Sequence, residues 1–261
     1  MKWIFWFNII MAGSFLLTSC HSSTTEEESK QQISSTSSFK EQAELDSLKA
    51  EIDSEIGLRE VYSLRYLSSE DDVNQVFGLI DEELNISRLE HVLIPKEGVE
   101  LQTRYYFQNG TIFLSMQLRK KFENEQFFLR EIRTYYDENG VVLFTGERRA
   151  SDETKLEERP WKKIAGRVMD PQKAMEIINQ KGEFATNFLN LSEAMGKKYI
   201  VVGTDKQSST VAYHDGISGD LKLLLARPDK FVNQPLSISF TEITDANDFC
   251  FQALKELKIV K

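Results

Sequence analysis

Tyr105-Tyr106-Phe107-Gln108-Asn109-Gly110-Thr111-Ile112-Phe113-Leu114 is answered further along the chain by Tyr135-Tyr136-Asp137-Glu138-Asn139-Gly140-Val141-Val142-Leu143-Phe144. Arg104 and Arg133 stand just before the two tyrosine pairs. Each unit reads as an aromatic strand, an Asn-Gly turn and an apolar strand. Asn-Gly fills the two positive-φ positions of a type I′ turn, whose twist matches that of a hairpin. Two such hairpins, joined around Phe122-Glu123-Asn124-Glu125-Gln126, predict a four-stranded antiparallel meander over residues 99–149. Alternation puts Val99, Leu101, Tyr105 and Phe107 on one face of the first strand, and Ile112, Leu114, Met116 and Leu118 on one face of the second. Glu100, Gln102, Arg104, Gln117 and Arg119 fall opposite, which predicts one dry face and one wet face. The aromatic residues read as cross-strand core rather than as a ligand platform.

Working outward, residues 61–67 and 88–94 read as further strands. Between them, Ser69-Glu70-Asp71-Asp72 followed by Val73, Val76, Phe77 and Ile80 predicts a short helix. Its acidic residues lack the Asp-x-Asp-x-Asp-Gly pattern of a calcium loop. Upstream, Leu45, Leu48, Ile52 and Ile56 at helical spacing predict an amphipathic helix that packs one stripe on the body and ends at Gly57. Downstream, Arg159-Pro160-Trp161 marks a boundary. Asp170 caps a helix with Pro171 at its first position and Ala174, Ile177 and Ile178 on its apolar face. A second helix is expected over 185–195, then strands at 199–203, 221–226, 236–241 and 249–259. The expected fold class is α+β, mainly antiparallel β: a central β-meander with short helices (41–158) and a smaller C-terminal β-rich subdomain (159–261).

The N-terminus carries an address. Lys2 precedes an apolar run of about 14 residues, too short for a comfortable bilayer span of about 20. This reads as a cleaved signal peptide over 1–19. Leu17-Thr18-Ser19-Cys20 resembles the lipobox of bacterial lipoproteins. The resemblance implies a diacylglycerol on the Cys20 thiol, cleavage before Cys20 and an N-acyl chain on the new amino group. A cysteine is needed because its thiolate is the nucleophile that becomes the thioether. Two or three acyl chains, at about 0.8 kcal/mol per buried methylene, anchor stably where one does not. Residues 21–40 hold ten Ser or Thr and read as a flexible tether. Glu26-Glu27-Glu28 loosely resembles the acidic export signals of Bacteroidetes surface lipoproteins, and the Tyr/Asn-Gly hairpins resemble repeats of Bacteroidetes-type envelope lipoproteins. His21 after Cys20 favours the outer membrane under the enterobacterial sorting rule. The segment 191–204 faintly resembles the entry into small OB-like lipoprotein barrels.

Composition is that of an ordinary globular chain, 41% hydrophobic and 28% charged, with a net charge of −9. Such a chain has no global attraction for nucleic acid or anionic lipid, and its acidic balance reads as solubility near a membrane held by lipid rather than by charge; no basic-aromatic cluster implies a nucleic-acid partner. Of the three histidines, His21 lies in the tether, His91 reads as a satisfied sheet residue, and His214-Asp215-Gly216 reads as a turn. Cys250, between Phe249 and Phe251, reads as a small buried hydrophobe. No catalytic or metal-binding motif is present, so no catalytic or metal residue and no cofactor other than the lipid on Cys20 is expected. The partners expected are the bilayer, through Cys20, and an envelope protein or glycan; the sequence does not fix an oligomeric state. The leading expectation is a membrane-anchored envelope lipoprotein with a non-enzymatic binding or assembly role. Its rivals are an envelope hydrolase using unidentified carboxylates, and a lipid or small-ligand carrier.

Overall fold

The computed structural model describes residues 42–96, 99–123, 126–214, 219–246 and 248–260. The segments read as signal peptide, lipidated Cys20 and tether lie outside them. The first element is a helix, α1 (residues 42–54). There follow β1 (Arg59–Tyr62), β2 (Tyr66–Ser68), β3 (Val73–Ile80), β4 (Ile86–Ile94), β5 (Leu101–Gln108), β6 (Thr111–Glu123), β7 (Gln126–Tyr136) and β8 (Val142–Ala150). Then come α2 (Glu153–Glu158), β9 (Lys162–Lys163), α3 (Gln172–Ile178), β10 (Asn187–Ala194), β11 (Lys197–Gly203) and β12 (Gln207–Tyr213). The chain finishes with α4 (Gly219–Ala226), β13 (Leu236–Thr244) and β14 (Cys250–Ile259). This is an α+β protein dominated by antiparallel sheet.

The expected hairpins are there, inside a longer meander that runs from β3 to β9 in sequence order. At its other side β3 pairs with β2, and β2 pairs with β12, which carries β11 and β10 beyond it. One sheet therefore crosses the expected boundary at 158/159, and the described residues form one compact unit. β1 and β2 both lie along one edge of β3, with Ser63-Leu64-Arg65 between them. Gln252 of β14 fills that interruption: its amide accepts from the Arg65 N–H at 2.9 Å and donates to the Ser63 carbonyl at 3.2 Å. A side chain thus satisfies backbone groups that would otherwise be buried unpaired.

The wet-face, dry-face expectation fails, for a reason of register. In both hairpins the pairing slips by one residue just past the turn: Phe107 pairs with Ile112 but Tyr106 with Leu114, and Tyr136 pairs with Val142 but Tyr135 with Phe144. Phe113 and Leu143 are the extra residues. A one-residue slip moves every later side chain to the other face. Tyr106, Leu114, Tyr135 and Phe144 therefore form one row across four strands, and Tyr105, Ser115, Thr134 and Thr145 form the row on the opposite face. All eight are buried.

Each face has its own cover. The first row receives α1, whose Leu45, Leu48 and Ile52 pack on Tyr106, Leu114, Tyr135 and Phe144. Tyr135 Oη donates to Asp46 at 2.8 Å, and Tyr106 Oη donates to Asp53 at 3.1 Å. Ile56, the last of the expected stripe, is fully exposed beyond the helix end. The opposite row is crossed by the segment leading into α3. Thr134 Oγ1 donates to the Arg167 carbonyl, Thr145 Oγ1 accepts from the Arg167 N–H, and Tyr136 Oη accepts from the Met169 N–H. Polar residues that look solvent-facing are thus buried and bonded. Tyr105, Phe107 and Ile132 join the larger core with Ala174 and Ile177 of α3 and residues of the C-terminal strands.

Three segments differ in type from expectation. The helix expected between residues 68 and 84 is strand β3. Its Val, Phe and Ile positions satisfy a helical stripe, yet β4 supplies a full antiparallel partner. The acidic residues before and after it build turns: Asp71 has φ 66°, and the Asp81 carboxylate accepts the N–H groups of Glu83 and Asn85. The helix expected over 185–195 is β10, turned into β11 by Met195-Gly196, both at positive φ. The strand expected at 221–226 is α4, whose Leu, Lys and Ala residues are good helix formers and lack β-branching. Of the two Asn-Gly turns, Asn109-Gly110 has positive φ at both residues, as type I′ requires. In the second turn only Gly140 does. There the Asp137 side chain accepts the Asn139 and Val141 N–H groups, and the Gly140 N–H bonds the Asp137 carbonyl, giving a type I turn closed by a left-handed glycine.

Candidate functional site

Past the tyrosine rows, the meander turns basic. Register decides how its arginines are shared between the faces. On the α1 face stand Arg104, Met116, Arg133 and Gly146 in one row, and Gln102, Leu118, Glu131 and Arg148 in the next. On the opposite face, Leu101, Arg119, Arg130 and Arg149 form a single row.

The α1-face set is built around Glu131, which is buried. Its carboxylate accepts from Arg133 Nε at 2.9 Å and pairs with Arg148 at 2.7 Å. Both guanidinium groups also stack on Trp161, at 4.7 and 4.6 Å from its ring. Gly146 leaves room at this point: a Cβ there would lie 2.8 Å from the Phe144 ring and 3.2 Å from the Trp161 indole. Burial works against the Arg133 charge, but Glu131 and then Tyr135 beside it hold its pKa above the ordinary arginine value. Arg104 is paired with Glu90 at 2.9 Å. These groups border an open hollow of about 340 Å³ with Met116, Leu118 and Leu156 among its lining residues. Charge is matched here: each arginine has a carboxylate.

The opposite face differs. Arg119, Arg130 and Arg149 are cross-strand neighbours, an arrangement that costs stability through like-charge repulsion. Glu147, in the adjoining row, pairs with Arg130 at 2.6 Å and reaches Arg149 at 3.5 Å. The hydrogen bond from Arg130, with the charges of Arg130 and Arg149, holds the Glu147 carboxyl below its usual value. Lys121 and Arg159 complete the rim of an open hollow of about 650 Å³ floored in part by Phe128. Among the described residues, basic side chains thus dominate this hollow, with Glu147 as the carboxylate beside it. Beyond it, Phe122 and Phe127 pair across the β6–β7 hairpin and are 65% and 46% exposed.

The residues that sequence reasoning singles out lie elsewhere. Leu17, Thr18, Ser19 and Cys20 are outside the described residues, as is Asp215-Gly216 beside His214. Cys250 is half-buried rather than core, with the Arg65 guanidinium 4.0 Å from its sulfur. Among the described residues, no group of three His, Cys, Asp or Glu is placed to hold a metal ion, and no helix is long and apolar enough to cross a membrane. The basic row escapes sequence reading because its members sit on three different strands, and only strand pairing collects them.

His91 is buried in β4, with Nε2 3.1 Å from Asn74 Oδ1. Burial, aided by the charge of Lys173, pushes its pKa down to about 4. An unfolded histidine titrates near 6.5. Between these values the unfolded chain binds a proton that the folded chain refuses, so stability falls as pH drops through this window. The expected loss is about 3 kcal/mol between pH 6.5 and 4. Urea midpoints for the wild-type chain should show it, and His91→Gln should flatten the profile over that window. An unchanged slope in the variant would refute the assignment.

Comparison with models of protein families, with curated proteins and with solved structures finds no match.

Proposed function

We propose that this chain is a lipoprotein of the bacterial cell envelope, held at the outer membrane through acyl chains on Cys20. Its folded body acts as a non-enzymatic binding module, with the basic end of the meander as the contact surface. The observation that carries this reading is how the meander uses its carboxylates. A hydrolase of glycan or peptide needs a carboxyl group able to give and take protons beside its substrate, with a raised pKa for the acid. Here Glu90, Glu131 and Glu147 are counter-ions of arginines, and Glu147 is shifted down, away from general-acid behaviour. A small-ligand carrier needs an enclosed cavity, whereas both hollows are open. What the basic end does offer is exposed guanidinium and aromatic surface, the residue types enriched at recognition interfaces.

The anchor is tested by metabolic labelling with a clickable fatty acid. Wild-type chain should take the label, and Cys20→Ala should take none. No label on wild type, or equal label on both, would overturn the reading. Crosslinking of the native lipoprotein, read by mass spectrometry, should then place its contacts on β6–β8.

A further inference from the structure

We infer that the end of the meander formed by β6, β7 and β8 lies against a bilayer surface rich in anionic phospholipid. This deepens the proposed function and rests on it for the bilayer's proximity, though not for the chemistry of contact.

Four observations converge. First, Arg119, Arg130 and Arg149 are held side by side by strand pairing. Glu147 serves both Arg130 and Arg149, so the row carries more positive than negative charge, an excess that fixed anions opposite it would balance. Second, the charge is local. Arg119, Lys121, Arg130, Arg149 and Arg159 surround one hollow whose lining includes no acid, in a chain whose net charge is −9. A surface of phosphate headgroups is complementary to that end and repelled by the remainder, which fixes an orientation. Third, an aromatic ring sits beside the cations: Phe128 borders the arginine row, while Phe122 and Phe127, exposed on the same hairpin, fall by register on the α1 face. Basic residues with an aromatic ring beside them suit an interfacial membrane contact. Fourth, chain length permits it. Twenty-one residues separate Cys20 from α1, and a chain of that length can reach up to about 70 Å, so an anchor at Cys20 does not hold the body away from the bilayer surface.

The test uses the full chain with Cys20→Ser, which carries no acyl group, so that lipidation cannot supply the binding. Sedimentation with pure phosphatidylcholine vesicles is compared with sedimentation with vesicles made of equal parts phosphatidylcholine and phosphatidylglycerol. The expected result is about tenfold stronger binding to the anionic vesicles, reduced by high salt. Arg119→Glu/Arg149→Glu should abolish the preference, with circular dichroism unchanged. Arg119→Gln/Arg149→Gln should reduce it and guards against a folding defect in the reversed variant. Equal binding to both vesicles, or a preference that survives charge reversal, would overturn the inference. So would retention on an acidic polysaccharide without any vesicle preference, which would assign the row to a polyanionic glycan instead. Failure here leaves the fatty-acid label on Cys20 unaffected, and failure of that label leaves vesicle binding unaffected, so the two readings fail separately.

Discussion

Glu131→Ala should lower the stability of the protein by about 3 kcal/mol, because it removes the carboxylate that the partly buried Arg133 and Arg148 share and leaves Arg133 only Asp46, at 3.6 Å. The side chains of Arg133, Arg148 and Glu131 are 17%, 10% and 8% exposed, so solvent screens the triad weakly. The loss exceeds that of any single hydrogen bond, since truncation removes the compensating charge and retains the cost of burying the other two. Urea unfolding measures it directly. Trp161 stacks with both arginines, so its contribution to the fluorescence, beside those of Trp3 and Trp6, responds to the site. Glu131→Gln keeps the shape and one acceptor and should fall between the alanine variant and wild type. A cost below about 1 kcal/mol for Glu131→Ala would mean that the triad is screened like a surface pair.

Gly203→Ala should be as damaging, for steric reasons alone. Gly203 closes β11 at φ 141°, where side chains are rarely tolerated. An added Cβ would overlap the Gln207 carbonyl oxygen and sit 2.8 Å from Ser208 Cα. Both are backbone atoms of the partner strand and cannot rotate away. The Thr204 N–H bonds that same Gln207 carbonyl, so relieving the clash breaks the turn that sets the β11–β12 register. A cost of about 3 kcal/mol or more is expected. Gly196→Ala is the control: its φ is 70°, but nothing lies within 4 Å of the added atom. That variant should cost only the roughly 1–2 kcal/mol of a left-handed alanine. Equal midpoints for the two variants would refute the steric account.

What could be read in advance follows from what is local. The Tyr-Tyr and Asn-Gly repeat announces hairpins because turn chemistry is a property of adjacent residues. The α1 stripe and the start of α3 are local in the same sense, although Pro171 rather than Asp170 takes the N-cap position and α3 begins at Gln172, whose N–H bonds the Asp170 carboxylate at 2.8 Å. The faces were illegible because a bulge at Phe113 and another at Leu143 reverse the parity of everything beyond them, and no residue type announces a bulge there. The buried roles of Thr134, Tyr136 and Thr145 depend on Arg167 and Met169 arriving from far downstream to bond them. β3 and β10 illustrate a further limit: a stripe at helical spacing also yields a usable strand when a partner strand exists. The arginine row needed both pairings, β6 with β7 and β7 with β8, before its members could be seen as neighbours, and the chain's overall negative charge conceals it.

The placement of α1 sets how the protein meets mechanical load. Whatever holds the chain upstream of residue 42 pulls on this helix before it pulls on any strand. α1 is fastened by Leu45, Leu48 and Ile52 and by the Asp46–Tyr135 and Asp53–Tyr106 hydrogen bonds, with Arg88 gripping Asp53 at 2.8 Å. Those attachments are few beside the strand ladders behind them. A pull applied upstream of residue 42 would peel the helix from the tyrosine row while leaving the sheet whole, so the helix would yield before the folded body does.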